Sequence, residues 1–150
     1  MTDLRELYQE TILDHNKRPR NCRALPGADR TADGHNPLCG DKVTLYVKLE
    51  GDRLQDLAFQ GSGCAISMAS VSLLTECLKG RTVAQARVLF DLFHELVTVG
   101  EIPEERAAEL GKLAVFSGVS EFPVRVKCAT LAWHTLNAAL EGRQQKVTTE

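Results

Sequence analysis

Apolar and polar positions alternate strictly from Val43 to Leu49: Val43, Leu45, Val47 and Leu49 against Thr44, Tyr46 and Lys48. That is the period of a half-buried strand. Glu50-Gly51-Asp52 predicts a turn, and residues 54–60 read as the returning strand of a hairpin. On either side the period becomes helical. Leu4, Leu7, Tyr8 and Ile12 recur at helical spacing, with Thr2 placed to cap the start and Pro19 setting the latest end. Residues 20–42 are rich in Gly, Pro, Asn and Asp and predict mostly loop, with room for one short edge strand.

The second half of the chain carries the helices. Residues 65–78 are apolar on nearly all sides, which predicts a central buried helix starting after Gly63 and stopping at Gly80. Thr82-Val83-Ala84-Gln85 is a capping box, with Val83, Ala86, Phe90, Phe93 and Val97 as the stripe behind it. Pro103, Glu104 and Glu105 open a further helix, which Gly111 weakens and Gly118 is expected to break. Pro123 opens the last helix, running to about Leu140 and closed by Gly142. Strands early and helices late predict an α+β fold, a small antiparallel sheet of about three strands covered by helices. Residues 1–142 read as one domain, and the polar segment 143–150 as a disordered tail.

Composition narrows the classes. The chain has 150 residues, 43% hydrophobic and 25% charged, with a formal net charge of -2. The charge argues against a nucleic-acid binder. No apolar run approaches a membrane span, and the charged N-terminus lacks a signal-peptide pattern, so a cytoplasmic protein is expected. Five cysteines, an odd number, then argue for free, metal-bound or reactive thiols rather than a disulfide framework.

Three of those cysteines lie in distinctive settings. Cys39 and Cys64 are flanked by glycine, in Asn36-Pro37-Leu38-Cys39-Gly40-Asp41 and Gly61-Ser62-Gly63-Cys64-Ala65. Cys128 follows Pro123-Val124-Arg125-Val126-Lys127. Cys64 falls at the start of the buried helix, where the helix dipole lowers a thiol pKa. Cys128 falls in the second turn of the last helix, sharing a face with Arg125. Three thiolates with the Asp41 carboxylate suit zinc or iron–sulfur chemistry. With Zn²⁺ the set would carry a net charge of about -2, which Arg125 and Lys127 could offset. No Cys-x-x-Cys pair is present, and a joint site and three separate core or incidental cysteines are about equally favoured. Cys77 reads as a core residue and Cys22 as an incidental loop residue. His35 reads as a solvated loop histidine with an outside role as ligand or proton carrier, and His15, His94 and His134 as helix-end or helix-surface residues.

The segments Asn36-Pro37-Leu38-Cys39-Gly40-Asp41, Gly61-Ser62-Gly63-Cys64-Ala65-Ile66-Ser67-Met68-Ala69-Ser70 and Pro123-x-Arg125-x-Lys127-Cys128, in that order, resemble the SufU proteins of the IscU/NifU-like group. Lys127 stands where IscU-type scaffolds usually carry histidine. Residues 122–127 replace their Leu-Pro-Pro-Val-Lys stretch, and the Cys64 to Cys128 span exceeds the IscU spacing. The resemblance covers about residues 1–142 and implies a SufE/NifU-like fold and a role in iron–sulfur cluster assembly. It implies zinc held by Cys39, Asp41, Cys64 and Cys128. It further implies sulfur accepted on Cys39 from a pyridoxal-phosphate cysteine desulfurase of SufS type, with Arg125 steadying the charge or the docked partner. A downstream Suf scaffold or apo-protein would receive the sulfur. The alternatives are a scaffold building a [2Fe–2S] cluster on the same ligands, with iron in place of zinc, and a zinc that only staples the fold.

Overall fold

The computed structural model describes residues 4–142 and 147–148, and side chains from residue 8 within that range. The elements run α1 (Leu4–Lys17), β1 (Arg30–Asn36), β2 (Asp41–Glu50), β3 (Arg53–Ser62), α2 (Ala65–Leu78), α3 (Val83–Val99), α4 (Glu104–Leu110), a 3-10 segment (Gly111–Glu121), α5 (Pro123–Leu140) and β4 (Val147–Thr148). The fold is α+β, with the sheet ordered β3-β2-β1-β4. β1, β2 and β3 form an antiparallel meander, and β4 pairs in parallel with β1.

Alternation sets what the sheet offers the core. Asp41, Val43, Leu45 and Val47 of β2 are buried, and their neighbours Lys42, Thr44 and Tyr46 are not. The core thus covers one face, where α5 and α2 pack on the sheet and on each other. The α2–α5 crossing is close because α2 turns small residues toward it. Ser70 is fully buried, and its hydroxyl donates to the Ala129 carbonyl at 2.6 Å. The capping box of α3 is present, Thr82 Oγ1 accepting from the Gln85 N–H while the Gln85 side chain returns to the Thr82 N–H.

Four expectations change. The sheet has four strands, and the fourth, Val147–Thr148, falls in the segment expected as tail. The rest of that tail and the Thr2 cap lie outside the described residues. β1 is a seven-residue strand inside the sheet rather than a short edge. Its core-facing residues are Ala32, Gly34 and Asn36, two of them small because α5 lies close. A Cβ on Gly34 would collide with the Thr135 hydroxyl and press on Leu131. Gly111 ends α4 outright, at φ 53 and ψ -126, a conformation open to glycine alone. Gly118 is then carried within the 3-10 segment without breaking it.

The last change is His15, which is buried instead of lying at a helix surface. Its Nδ1 lies 2.7 Å from the Ser72 hydroxyl, which also accepts the Arg20 N–H. Burial pushes the His15 pKa down, with the Arg20 charge adding to it. Among the described residues, no helix is long and apolar enough to cross a membrane.

Candidate metal centre

The site grows from the end of the β1–β2 hairpin. Asn36 and Asp41 are cross-strand partners closing a four-residue turn, residues 37–40. Directly opposed residues share a sheet face, and here it is the core face. Both side chains are 0% exposed. The hydrophobic layer of the sheet therefore ends in an amide and a carboxyl. Cys39 sits in the turn itself and is exposed, with Gly40 at φ 71 turning the chain back into β2.

Two helices bring the other sulfurs. Cys64 is the N-cap of α2, and its Sγ accepts the Ser67 N–H at 3.4 Å. Cys128, on α5, is buried at 2% exposure. Its Sγ lies 3.2 Å from Cys39 Sγ. One donor atom each from Cys39, Asp41 and Cys128 falls within a 4.8 Å group. Cys64 flanks it, with Sγ 3.9 Å from Asp41 Oδ2. The two thiols bear most strongly on each other: Cys128, with the Ser67 N–H, draws Cys64 down to about 7, and Cys64, with burial, pushes Cys128 up.

The Asp41 carboxylate is divided between two tasks. Oδ1 accepts the Cys64 N–H at 2.8 Å, and Oδ2 faces the sulfurs beside the Asn36 amide at 3.3 Å. Gly63 makes room for it, since a Cβ there would overlap Asp41 Oδ1. A carboxylate taken out of water costs several kcal/mol even after relaxation. Among the described residues, no lysine, arginine or histidine pairs with Asp41. A buried carboxylate beside three thiols is a donor set that fits a soft or borderline divalent cation. Asp41 would serve it through Oδ2 alone.

Arg125, His35, Cys22 and Cys77 lie outside the donor group. Arg125 is exposed, and its guanidinium lies over the Phe122 ring at 4.4 Å rather than against the sulfurs. His35 precedes Asn36 in β1, so its side chain leaves the opposite face of the sheet from the cluster. Cys22 is exposed, bridged by its backbone to Phe59. Cys77 packs against the core, and burial pushes its thiol up. The residue the motifs left unused is Asn36, which donates to Asp41 and also to Cys128 Sγ at 3.4 Å. Parity could have found it: across a four-residue hairpin turn, position 36 must share the face of position 41.

A family model described as the NifU-like N terminal domain matches residues 7–130. The zinc-dependent sulfurtransferase SufU of Bacillus subtilis is 40% identical over 134 residues, 89% of this chain and 89% of that protein. The iron–sulfur cluster assembly scaffold protein IscU of Streptococcus pyogenes is 40% identical over 141 residues, 94% of this chain and 87% of that protein. Among solved structures, a candidate scaffold protein for the SUF system from Fervidobacterium islandicum has a TM-score of 0.82 at 36% identity. That match covers 90% of this chain and 97% of the other.

Proposed function

The chain belongs to the NifU-like N-terminal domain family, and we propose that it acts in iron–sulfur cluster assembly as a zinc-dependent sulfurtransferase. Cys39 accepts persulfide sulfur from a pyridoxal-phosphate cysteine desulfurase of SufS type and hands it to a downstream scaffold or apo-protein. The observation that carries this reading is the asymmetry of the four donors. Asp41, Cys64 and Cys128 are built into β2, the α2 cap and α5, whereas Cys39 alone is exposed, in a short turn ending in glycine. A sulfur that must reach a partner's active site belongs on the part of the site that can move.

Cys39, Asp41, Cys64 and Cys128 are the residues that would hold the metal. Zinc there would keep the thiols deprotonated without redox chemistry of its own. In the transfer step the Cys39 thiolate attacks the outer sulfur of the desulfurase persulfide. A new S–S bond forms at Cys39, the donor S–S bond breaks, and its electron pair leaves with the desulfurase cysteine as thiolate. The outer sulfur keeps its proton and its oxidation level. Exposed Leu38, Phe122 and Val124 flank Cys39 and the start of α5 in the chain. With Arg125 over Phe122, they offer an apolar, cationic rim for the docking partner.

The 40% identity to a scaffold protein favours cluster assembly on the same ligands as the second reading. Anaerobic reconstitution with ferrous iron and sulfide separates the two. The expected result is zinc in the protein as isolated, no displacement of it by iron, and no cluster passed to an apo-ferredoxin. A [2Fe–2S] chromophore that forms and then moves to the ferredoxin would make the chain a scaffold instead.

A further inference from the structure

Asn36 is fully buried, yet none of its polar atoms faces solvent chemistry or the hydrophobic core. The carboxamide offers two N–H donors and one carbonyl, and the structure directs them to three different parts of the site. Nδ2 donates to Asp41 Oδ2 at 3.3 Å and to Cys128 Sγ at 3.4 Å. Oδ1 accepts the Leu38 N–H at 3.3 Å, which ties down the turn that carries Cys39. One side chain thus links β1, the Cys39 turn, β2 and α5. Both of its donors point at atoms that would carry negative charge as ligands of a cation, a carboxylate oxygen and a sulfur.

We propose that Asn36 is the positioning residue of this centre, orienting Asp41 and Cys128 as donors and holding the Cys39 turn over them. The inference rests on the metal-centre reading given above. An amide is the side chain suited to the place. It stabilises negative charge on the carboxylate and the thiolate without contributing a charge of its own. Aspartate, of the same shape, would set a further anion against both. Groups that hydrogen-bond to metal ligands typically govern affinity by about 10–100-fold.

The test uses the full chain loaded with zinc or with cobalt(II) as a spectroscopic probe, comparing wild type with Asn36→Ala and Asn36→Ser. Zinc affinity, from competition with a chromophoric chelator, is expected to fall about 10–100-fold in Asn36→Ala. The thiolate-to-cobalt band should shift. The unfolding temperature should drop more in zinc than in chelator. Asn36→Ser, which keeps one donor, should lie between, and it carries the same comparison if Asn36→Ala does not fold. Wild-type affinity and an unchanged cobalt spectrum in both variants would overturn the proposal. So would an equal loss of stability with and without metal, the signature of a packing role alone. A wild type with no thiolate-to-cobalt band, and no effect of Asp41→Ala on metal binding, would defeat the metal-centre reading itself. A normal wild-type spectrum with unaffected Asn36 variants would defeat only this inference.

Discussion

Replacing Cys39 with alanine is expected to return the partner desulfurase to the rate it shows alone, with the fold intact. The side chain is exposed in a four-residue turn, so its loss removes no core packing. Surface changes of that kind stay within about 0.5 kcal/mol unless a named interaction is lost. What is lost is the attacking sulfur, which no neighbour can replace, and with it one of the proposed donors, so any loss of stability should appear in zinc and not in chelator. Cys64 is tied to the Ser67 N–H and Cys128 is buried, so neither can reach a partner's persulfide. Cys39→Ser should fail equally, because a serine hydroxyl is not ionised at neutral pH. Cys22→Ala should keep full activity, because Cys22 is also exposed but lies outside the donor group. The measurement is alanine released per desulfurase at saturating cysteine. Full stimulation by Cys39→Ala would end the proposal of transfer through this residue.

Asp41→Ala is expected to change sign with the metal. With zinc bound, Asp41 would be one of the residues holding it, and the cation would offset the burial of the carboxylate. A ligand present at about 1,000 times its dissociation constant stabilises the folded state by about 4 kcal/mol. For a domain of this size, 1 kcal/mol moves the midpoint by about 2–4 °C. Stripping zinc from wild type should therefore lower the melting temperature by about 10 °C. Asp41→Ala should lose most of that zinc-dependent increment. In chelator the order reverses. There Asp41 is a buried carboxylate held by the Cys64 N–H, the Asn36 amide and the Cys64 thiol, with no cationic partner among the described residues, and alanine removes that burden. The variant should then match or exceed wild type. Thermal unfolding of both proteins with zinc and with chelator checks this. An Asp41→Ala variant that is less stable in both conditions by the same amount would assign Asp41 to the fold and not to a cation.

The strand whose core face is apolar is legible in full, and β1, whose core face is small and polar, shows only as room for a short edge strand. β2 shows Val43, Leu45 and Val47 in strict alternation, and the hairpin to β3 follows from it. β1 has no such pattern, because α5 lies so close that only Ala32 and Gly34 fit, and the last inward position is polar Asn36. Reading β1 as at most a short edge strand also hid that Cys39 lies in a hairpin turn rather than in a long loop. The Cys39, Asp41, Cys64 and Cys128 grouping came from motifs, since their separations in the chain carry no metal-site spacing. Their proximity depends on how α2 and α5 dock at one end of the sheet. Arg125 was read by helix periodicity onto the Cys128 face, but at the first turn of α5 its long side chain stacks on Phe122 instead. His15 sits between Asp14 and Asn16, and nothing in that local pattern reveals the Ser72 hydroxyl waiting across the α1–α2 contact.

The central claim is that sulfur travels by way of one exposed cysteine beside a set of buried and half-buried donors. It is tested most directly by finding the sulfur. The zinc-loaded protein is incubated with its cysteine desulfurase and cysteine without reductant, trapped with an alkylating reagent, digested and mapped by mass spectrometry. The account predicts one added sulfur on the peptide carrying Cys39, and none on those carrying Cys22, Cys64, Cys77 or Cys128. Sulfur found on Cys64 or Cys128, or on no cysteine of this chain while the desulfurase turns over, would contradict it.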